Sequence, residues 1–479
     1  MTFVLNSSIL ESLYPEIFLG LVAFGMLLMG RRVKDWVVYT AVSIVSLLIS
    51  MILLLLFDSS NSSFFGGAFV INNFGLYFAL ILITSSLYVS FTAGSELKHD
   101  PEIFFSIFLF VNVAMIIAAF SLNLIFIFIA FEGISIGTYI LSAHGKSKRN
   151  LEASAKYFFT GVIATGFIVL GSSFYFLSTG TFNLVSATSI SLINKPSMLL
   201  AMVLLFVGFG FKLALVPLQQ WAVDAYDGTK NPVSAFLSSG TKVLAFLVIL
   251  RVFLVGFSSM NTDVFYLFTI VSIVTMTYGN FAALSENNLK RMLAYSSIAQ
   301  AGYLILVLDV VSSNASHFAF TVAIFAAMYY SLVYIFMKGG AFIASGAVRE
   351  DKIMINDLSG IGLKSPVFAI SLGIMMLALA GIPPTAGFFA KYYLFLALIS
   401  GNLWYLAVIG ILNSAISVFY YLKIIVVMFR PATEEKDFNL SRPILIPVII
   451  GAAMSIALSF LIYGYPYISS IVAGLGVGV

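Results

Sequence analysis

Apolar runs of about 20 residues recur along this chain, each closed by a short polar stretch. They predict helices near 13–30, 36–57, 74–93, 102–120, 122–143, 152–177, 198–222, 232–256, 262–284, 291–311, 316–346, 366–398, 402–428 and 443–471. A run of that length crosses roughly 30 Å of hydrocarbon as an α-helix, whereas a barrel strand needs about 10 residues of alternating polarity. The pattern predicts an all-α polytopic membrane protein of about fourteen transmembrane helices, one membrane domain over 1–479 with no soluble domain. The first run opens on ESLYPE without a basic start or a small-residue cleavage site, so it is expected to remain a membrane helix. The longest polar connection, near 347–365, reads as a loop.

Two of the runs carry proline in mid-course. Pro217 interrupts the seventh helix near Leu215 to Leu218, and Pro383 with Pro384 interrupts the twelfth, because proline removes a backbone donor and clashes with the preceding turn. Broken helices at membrane depth free carbonyls and amides that can hold water or an ion, although a plain packing kink has the same signature. The two breaks lie five helices apart. That spacing suggests two inverted five-helix repeats, helices 4–8 over 102–256 and helices 9–13 over 262–428.

Charge then orients the bundle. Alternate loops carry Arg31, Arg32, Lys34, Lys98, Lys146, Lys148, Arg149, Lys230, Lys290, Arg291, Arg349, Lys352, Lys364, Arg430, Lys436 and Arg442; the other loops carry only Lys195. Basic loops stay on the cytoplasmic side, so both termini are expected outside, in the plasma membrane of a prokaryote. A composition of 61% hydrophobic and 9% charged residues, with mean hydropathy +1.07, excludes a soluble domain, whose charged share is about 25%. The net charge of +4 sits in loops and gives no clustered face for nucleic acid. With no cysteine and three scattered histidines (His99, His144, His317), the chain is expected to bind no metal, haem or iron–sulfur cofactor.

Against this background, buried charges are the candidate chemistry, because a charge in hydrocarbon costs about 3 to 15 kcal/mol. Glu132 lies about ten residues into its run, Lys212 about fourteen and Lys242 about ten, or roughly 15, 21 and 15 Å deep. A lysine stem of about 6 Å cannot carry the ammonium to water from there. Lys391 follows the second break. Lys338 is about eight residues from the cytoplasmic end of its run, roughly 12 Å, so both snorkelling and a buried relay role are open; Gly339 and Gly340 beside it allow close helix approach. Glu132 could also be a neutral acid bonded to a carbonyl. Lys156, Arg251 and Lys423 lie nearer helix ends, where snorkelling or structural pairing competes at least equally with a role in transport. His317 and Asp309 flank an outer loop and read as surface residues, and Asp224 and Asp227 read as caps or braces for the next helix.

The stretch GFGFKLALVPLQQWAVDAYDGTKNPVSAFLSSGTKVLAF resembles the antiporter-like membrane subunits of respiratory complex I, in the superfamily shared with Mrp antiporter subunits. NLEASAKYFFTG, NNLKRMLAYSSIAQAGY, LAGIPPTAGFFAKYYLF and SAISVFYYLKIIVVMF agree in family order over most of residues 125–430. Within that superfamily the twelfth and thirteenth helices, and the lack of a long C-terminal lateral helix, are most similar to subunit N, called subunit 2 in mitochondria. One departure stands out: Lys338 occupies an asparagine position of that subunit, as in the L and Mrp relatives, and Tyr334 stands where their histidine would be.

The resemblance implies a subunit of an NADH:quinone oxidoreductase, or of an assembly using another donor, that moves protons while partner subunits do the redox chemistry. It implies that Glu132 pairs with Lys212, that Lys242 and Lys391 continue the path, and that further antiporter-like subunits are neighbours. A subunit of an Mrp-type sodium/proton antiporter or a membrane-bound hydrogenase is the alternative.

Overall fold

The computed structural model describes residues 13–30, 32–56, 62–97, 99–185, 195–313, 315–348, 352–432 and 437–461. The predicted part of the last helix beyond 461, and the loop residues Arg31, Lys98, Arg349 and Lys436, lie outside the described residues. The helices are α1 (Tyr14–Met29), α2 (Trp36–Leu55), α3 (Asn73–Glu96), α4 (Pro101–Phe120), α5 (Leu124–Ala143), α6 (Lys148–Thr179), α7 (Lys195–Leu213), α8 (Gln220–Gly228), α9 (Asn231–Ser238) and α10 (Gly240–Gly256). They continue with α11 (Asn261–Ser285), α12 (Leu289–Ser312), α13 (His317–Ala344), α14 (Pro366–Ala380), α15 (Ala386–Ser400), α16 (Trp404–Met428) and α17 (Arg442–Ala457). Every predicted span holds a helix or an interrupted pair. Among the described residues 12 helices are long and apolar enough to cross a membrane, while α1, α14 and α15 are shorter. A small antiparallel hairpin, β1 (Ser62–Phe64) with β2 (Phe69–Ile71), lies between α2 and α3 and is the one β-sheet among the described residues.

Local chemistry sets the helix ends. Asn72, Ser147, Asn288 and Ser316 each accept a bond from a first-turn amide with the side chain, and Pro15, Pro101, Pro232, Pro366 and Pro443 sit at first-turn positions where no amide donor is needed. On the basic-loop side Lys146 binds Asp100 at 2.5 Å, and that hydrogen bond holds the Asp100 carboxyl below its ordinary range.

Every residue of α10 is buried, and α12 and α13 are nearly so. These three form the interior. Helix α13 packs on both α14 and α15, α6 on both α7 and α8, and α11 along α12. Outer helices turn Leu21, Phe24, Ile52, Phe159 and Phe419 away from the core, as expected where lipid or a neighbouring subunit replaces water.

Among the described residues three helical runs are interrupted. The backbone leaves the helix from Ala214 to Gln219, between α7 and α8, and again from Gly381 to Thr385, between α14 and α15. A third interruption falls at Ser239, between α9 and α10, where the sequence predicts one continuous helix over 232–256.

Candidate functional site

Lys212 stands in the last turn of α7, 1% exposed, just before the first break. Its Nζ donates to Ser135 Oγ at 3.3 Å, Thr138 Oγ1 at 3.1 Å and Tyr157 OH at 2.5 Å. All three ammonium donors therefore have oxygen partners, each neutral. Glu132, one turn before Ser135 on α5, is half-buried and accepts instead from Thr165 Oγ1 at 2.8 Å. The direct Glu132–Lys212 ion pair implied by the resemblance is absent: among the described residues no carboxylate lies within 4.0 Å of Lys212. The hydroxyl cluster of α5 and α6 has taken the ammonium.

An aromatic wall separates Lys212 from the next lysine. Tyr157 stacks on Trp221 at 4.3 Å and 10°, Trp221 meets Tyr226 edge-on at 5.8 Å, and the Lys242 ammonium lies 6.0 Å from the Tyr226 ring centre. The Trp221 indole donates to Phe211 O at 2.8 Å, a carbonyl at the helix break that also accepts from Ala214 N at 2.9 Å.

Lys242 begins α10 three residues after the interruption at Ser239 and is 1% exposed. Its Nζ donates to Ser297 O at 2.9 Å. Lys338, 0% exposed on α13, donates to the hydroxyl of the neighbouring Ser296. Two ammoniums from different helices thus converge on adjacent residues of α12. Snorkelling of Lys338 is excluded by this burial. A Cβ at Gly339 would lie 3.3 Å from the Tyr88 ring of α3, so the glycine does permit close approach. Tyr334 pairs its OH with Ser297 Oγ at 2.7 Å.

The polar line continues along α12. Gln300, one turn beyond Ser296 and Ser297, donates to Leu379 O at 3.0 Å and to Tyr421 OH at 3.4 Å, and Tyr330 donates to its Oε1. Leu379 O also accepts from Lys391 Nζ at 3.2 Å, so one carbonyl joins the α12 line to the last lysine. Lys391 completes its set with Ala380 O at 3.1 Å and Ser414 Oγ at 2.9 Å, over the Tyr303 ring at 4.8 Å. Those carbonyls are the ones freed at the C-terminus of α14, where the helix dipole favours a cation. Gly381 makes the arrangement possible: it holds φ +81°, and a Cβ there would come within 2.9 Å of Lys391 Cδ. Each proline break borders a cavity, about 190 Å³ beside Pro217 and Trp221 and about 470 Å³ beside Gly381 and Lys391.

Several residues lie off this line. Asp309, expected at the surface, is fully buried and accepts from Thr269 Oγ1 at 2.7 Å and Ser272 Oγ at 3.4 Å, because α11 covers the outer end of α12. Lys290, expected in a loop, is 4% exposed and donates to Thr229 O at 2.5 Å. His317 is exposed. Arg251 is buried, donating to Ser121 O at 3.1 Å and Asn72 Oδ1 at 3.4 Å, which ties α10 to the α4–α5 connection. Lys156 bridges Glu152 and Asp224, Lys423 donates to Asn287, and Asp224 and Asp227 bind Arg291 and Arg149 at 2.9 and 2.7 Å. The two aspartates are braces and not caps, since Lys230 occupies the cap position of α9. Among the described residues no group of three or more histidine or acidic side chains could hold a metal.

A family model described as NADH:quinone oxidoreductase/Mrp antiporter, transmembrane, matches residues 121–417. The chain is 37% identical over 407 residues to NADH-quinone oxidoreductase subunit N of Trichlorobacter lovleyi, covering 82% of each sequence. It is 38% identical over 398 residues to F(420)H(2) dehydrogenase subunit N of Methanosarcina mazei, covering 80% of this chain and 78% of that one. Among solved structures, a chain of respiratory complex I from Thermus thermophilus with bound aureothin superposes with TM-score 0.82 at 27% identity, over 95% of this chain and 99% of that one. A chain of the Mrp complex from a Dietzia species superposes with TM-score 0.81 at 18% identity, over 98% and 97%, a likeness of fold.

Proposed function

The chain belongs to the NADH:quinone oxidoreductase/Mrp antiporter transmembrane family, and from that premise we propose that it is the subunit-N-type proton-translocating membrane subunit of a complex I-like donor:quinone oxidoreductase. Redox chemistry belongs to partner subunits, and further antiporter-like chains flank this one. The observation that carries the reading is the line Lys242, Lys338, Ser296/Ser297, Gln300, Leu379 O and Lys391, drawn from five helices in apolar surroundings and joined mostly by direct hydrogen bonds. Lys212 and Glu132 stand at its other end behind the aromatic wall.

In this reading protons are taken up from the cytoplasmic side, load the Lys212 and Lys242 region, pass through Lys338 and the α12 line to Lys391, and leave outward. Lysine suits the task because an amine shed of its proton is neutral and tolerates burial, whereas the ammonium needs oxygen partners. Helix packing supports the division into two inverted units. Contacts of α4 with α5, α5 with α6, α6 with α7 and α8, and α4 with α10 have counterparts in α11 with α12, α12 with α13, α13 with α14 and α15, and α11 with α16. The basic loops support an orientation with both termini outside a prokaryotic plasma membrane.

The test is Lys242→Met in the assembled, reconstituted complex, with proton uptake and donor oxidation measured together. Loss of pumping with assembly retained is expected. Wild-type proton-to-electron stoichiometry would remove Lys242 from the path, and with it the central observation.

A further inference from the structure

On the basic-loop face the structure holds a polar cavity of about 280 Å³ that the lysine line does not use; Glu96, Arg149, Asp227, Lys230, Asn231 and Lys290 border it. Glu96, the last residue of α3, accepts from Asn231 Nδ2 at 3.4 and 3.2 Å with its two oxygens, and has no cation within 4.0 Å among the described residues. The other carboxylate, Asp227, is engaged by Arg149 at 2.7 Å. Room for Glu96 comes from Gly346, where a Cβ would fall 2.6 Å from Oε1.

From the cavity inward, polar side chains recur along α9 and, past the interruption at Ser239, in the first turn of α10. Asn231, Ser234, Ser238 and Lys242 are spaced three, four and four residues apart, close to one per helical turn, and the buried Ser234 hydroxyl reaches the cavity wall by pairing with Thr229 Oγ1 at 2.8 Å while donating to Tyr226 O at 2.7 Å. Eleven residues at 1.5 Å each span about 16 Å, so the stripe bridges the cavity and the Lys242–Lys338 pair. Ser238 Oγ bonds only the Ala235 carbonyl of its own helix, at 3.2 Å. A hydroxyl satisfied in that way braces no neighbour, and it keeps lone pairs for a passing proton.

We infer that this cavity is the proton-loading vestibule of the Lys242–Lys338 pair, with Glu96 as its collecting group and the α9 stripe as the conduit. The inference rests on the proposed proton path and adds its cytoplasmic mouth. Glu96 is suited because, among the described residues, it is the carboxylate at the cavity that no cation holds within 4.0 Å, so it can gain and give a proton without breaking an ion pair.

The absence of cysteine from the chain allows a clean test. Ser234→Cys, one turn inside the vestibule, is treated in the full complex with a membrane-impermeant thiosulfonate from the basic-loop face, and labelling is read on this chain after separation. Reaction from that face, with loss of pumping on labelling, is expected. Glu96→Gln is expected to lower pumping about tenfold or more with the complex assembled, and Glu96→Asp to retain most of it. Gly346→Ala, which crowds Glu96 without touching its charge, is expected to slow pumping as well. An unreactive Ser234→Cys, or wild-type stoichiometry in Glu96→Gln, overturns the vestibule. If Lys242→Met stops pumping while those two results are negative, only the vestibule falls; if Lys242→Met pumps normally, the proposed path falls whatever the labelling.

Discussion

Tyr157→Phe deletes one oxygen and leaves a ring in place, which makes it a sharp probe of how Lys212 carries charge. The phenol takes a 2.5 Å bond from Lys212 Nζ and pairs with Thr138 at 3.1 Å. Its ring also stacks on Trp221 at 4.3 Å and meets Tyr139 edge-on at 4.5 Å. Phenylalanine keeps both ring contacts, so the cost to folding should stay near about 1 kcal/mol, the net worth of a neutral hydrogen bond. The charged ammonium loses more. A hydrogen bond to a charged group is worth about 1.5–3 kcal/mol, and at 1.4 kcal/mol per decade that is about ten- to a hundredfold fewer complexes with Lys212 loaded. The assay is proton uptake into proteoliposomes under continuous donor oxidation, followed with an entrapped pH dye. Pumping should fall by about tenfold or more while assembly and melting temperature change little, and acidifying the loading side should recover the rate. A variant with the wild-type rate and wild-type pH profile would show that the phenol holds no charge, and would refute this account of Lys212.

Three further substitutions follow from the geometry. Lys338→Met removes an ammonium held by a single serine hydroxyl, so the complex should melt no lower than wild type while pumping drops; undiminished stoichiometry would reduce Lys338 to a structural residue. Lys212→Arg keeps the charge but cannot release a proton at physiological pH, so pumping should be lost with the chain still in the membrane, as single-turnover proton release would reveal. Gly381→Ala forces a side chain into left-handed backbone beside Lys391, at a cost of about 1–2 kcal/mol; a lowered melting temperature together with slowed proton release is expected, and wild-type values of both would dissociate the α14–α15 turn from Lys391.

Much of the bundle is legible in the sequence because a membrane helix must satisfy its own backbone, which forces long apolar runs and makes proline visible as a break. Pro217 and Pro384 therefore announce their interruptions. The one at Ser239 carries no proline, and only Gly240 beside it signals a break in a run that the sequence predicts as continuous. Burial of Lys212 and Lys242 is legible from depth, whereas depth leaves Lys338 open and Lys290 reads as a loop residue although it is buried. Their partners are not, since Ser296, Ser297, Tyr157 and Gln300 resemble ordinary small or aromatic packing residues until tertiary contact brings them to an ammonium. Asp309 shows the same limit from the other side: its place near a loop suggested water, and only the covering helix α11, with Thr269 and Ser272 a turn apart, made a buried site for it. Family resemblance points to Glu132 and Lys212 as a pair, but not to the nearer hydroxyls that each of them bonds instead.

That choice bears on how work could be done. Glu132 bonded to Thr165, and Lys212 bonded to three neutral oxygens, describe an open pair. Closing it to 4 Å would be worth about 4 kcal/mol at an effective dielectric near 20, roughly a thousandfold in the hold on the Lys212 proton. Moving one charge against 100 mV costs about 2.3 kcal/mol, so the swing between open and closed exceeds the load of one proton and falls short of two. Glu132→Gln keeps the side-chain shape and an acceptor for Thr165, yet abolishes the swing. Lys212 should then still exchange protons, but without the drive to push them uphill. With the membrane potential collapsed by potassium and valinomycin, Glu132→Gln should retain a substantial fraction of wild-type proton flux; with the potential allowed to build, flux should stall well below the wild-type plateau. A voltage-sensitive dye reports that plateau directly. If Glu132→Gln reaches the wild-type potential, the open-to-closed swing of the pair is not what lifts the proton.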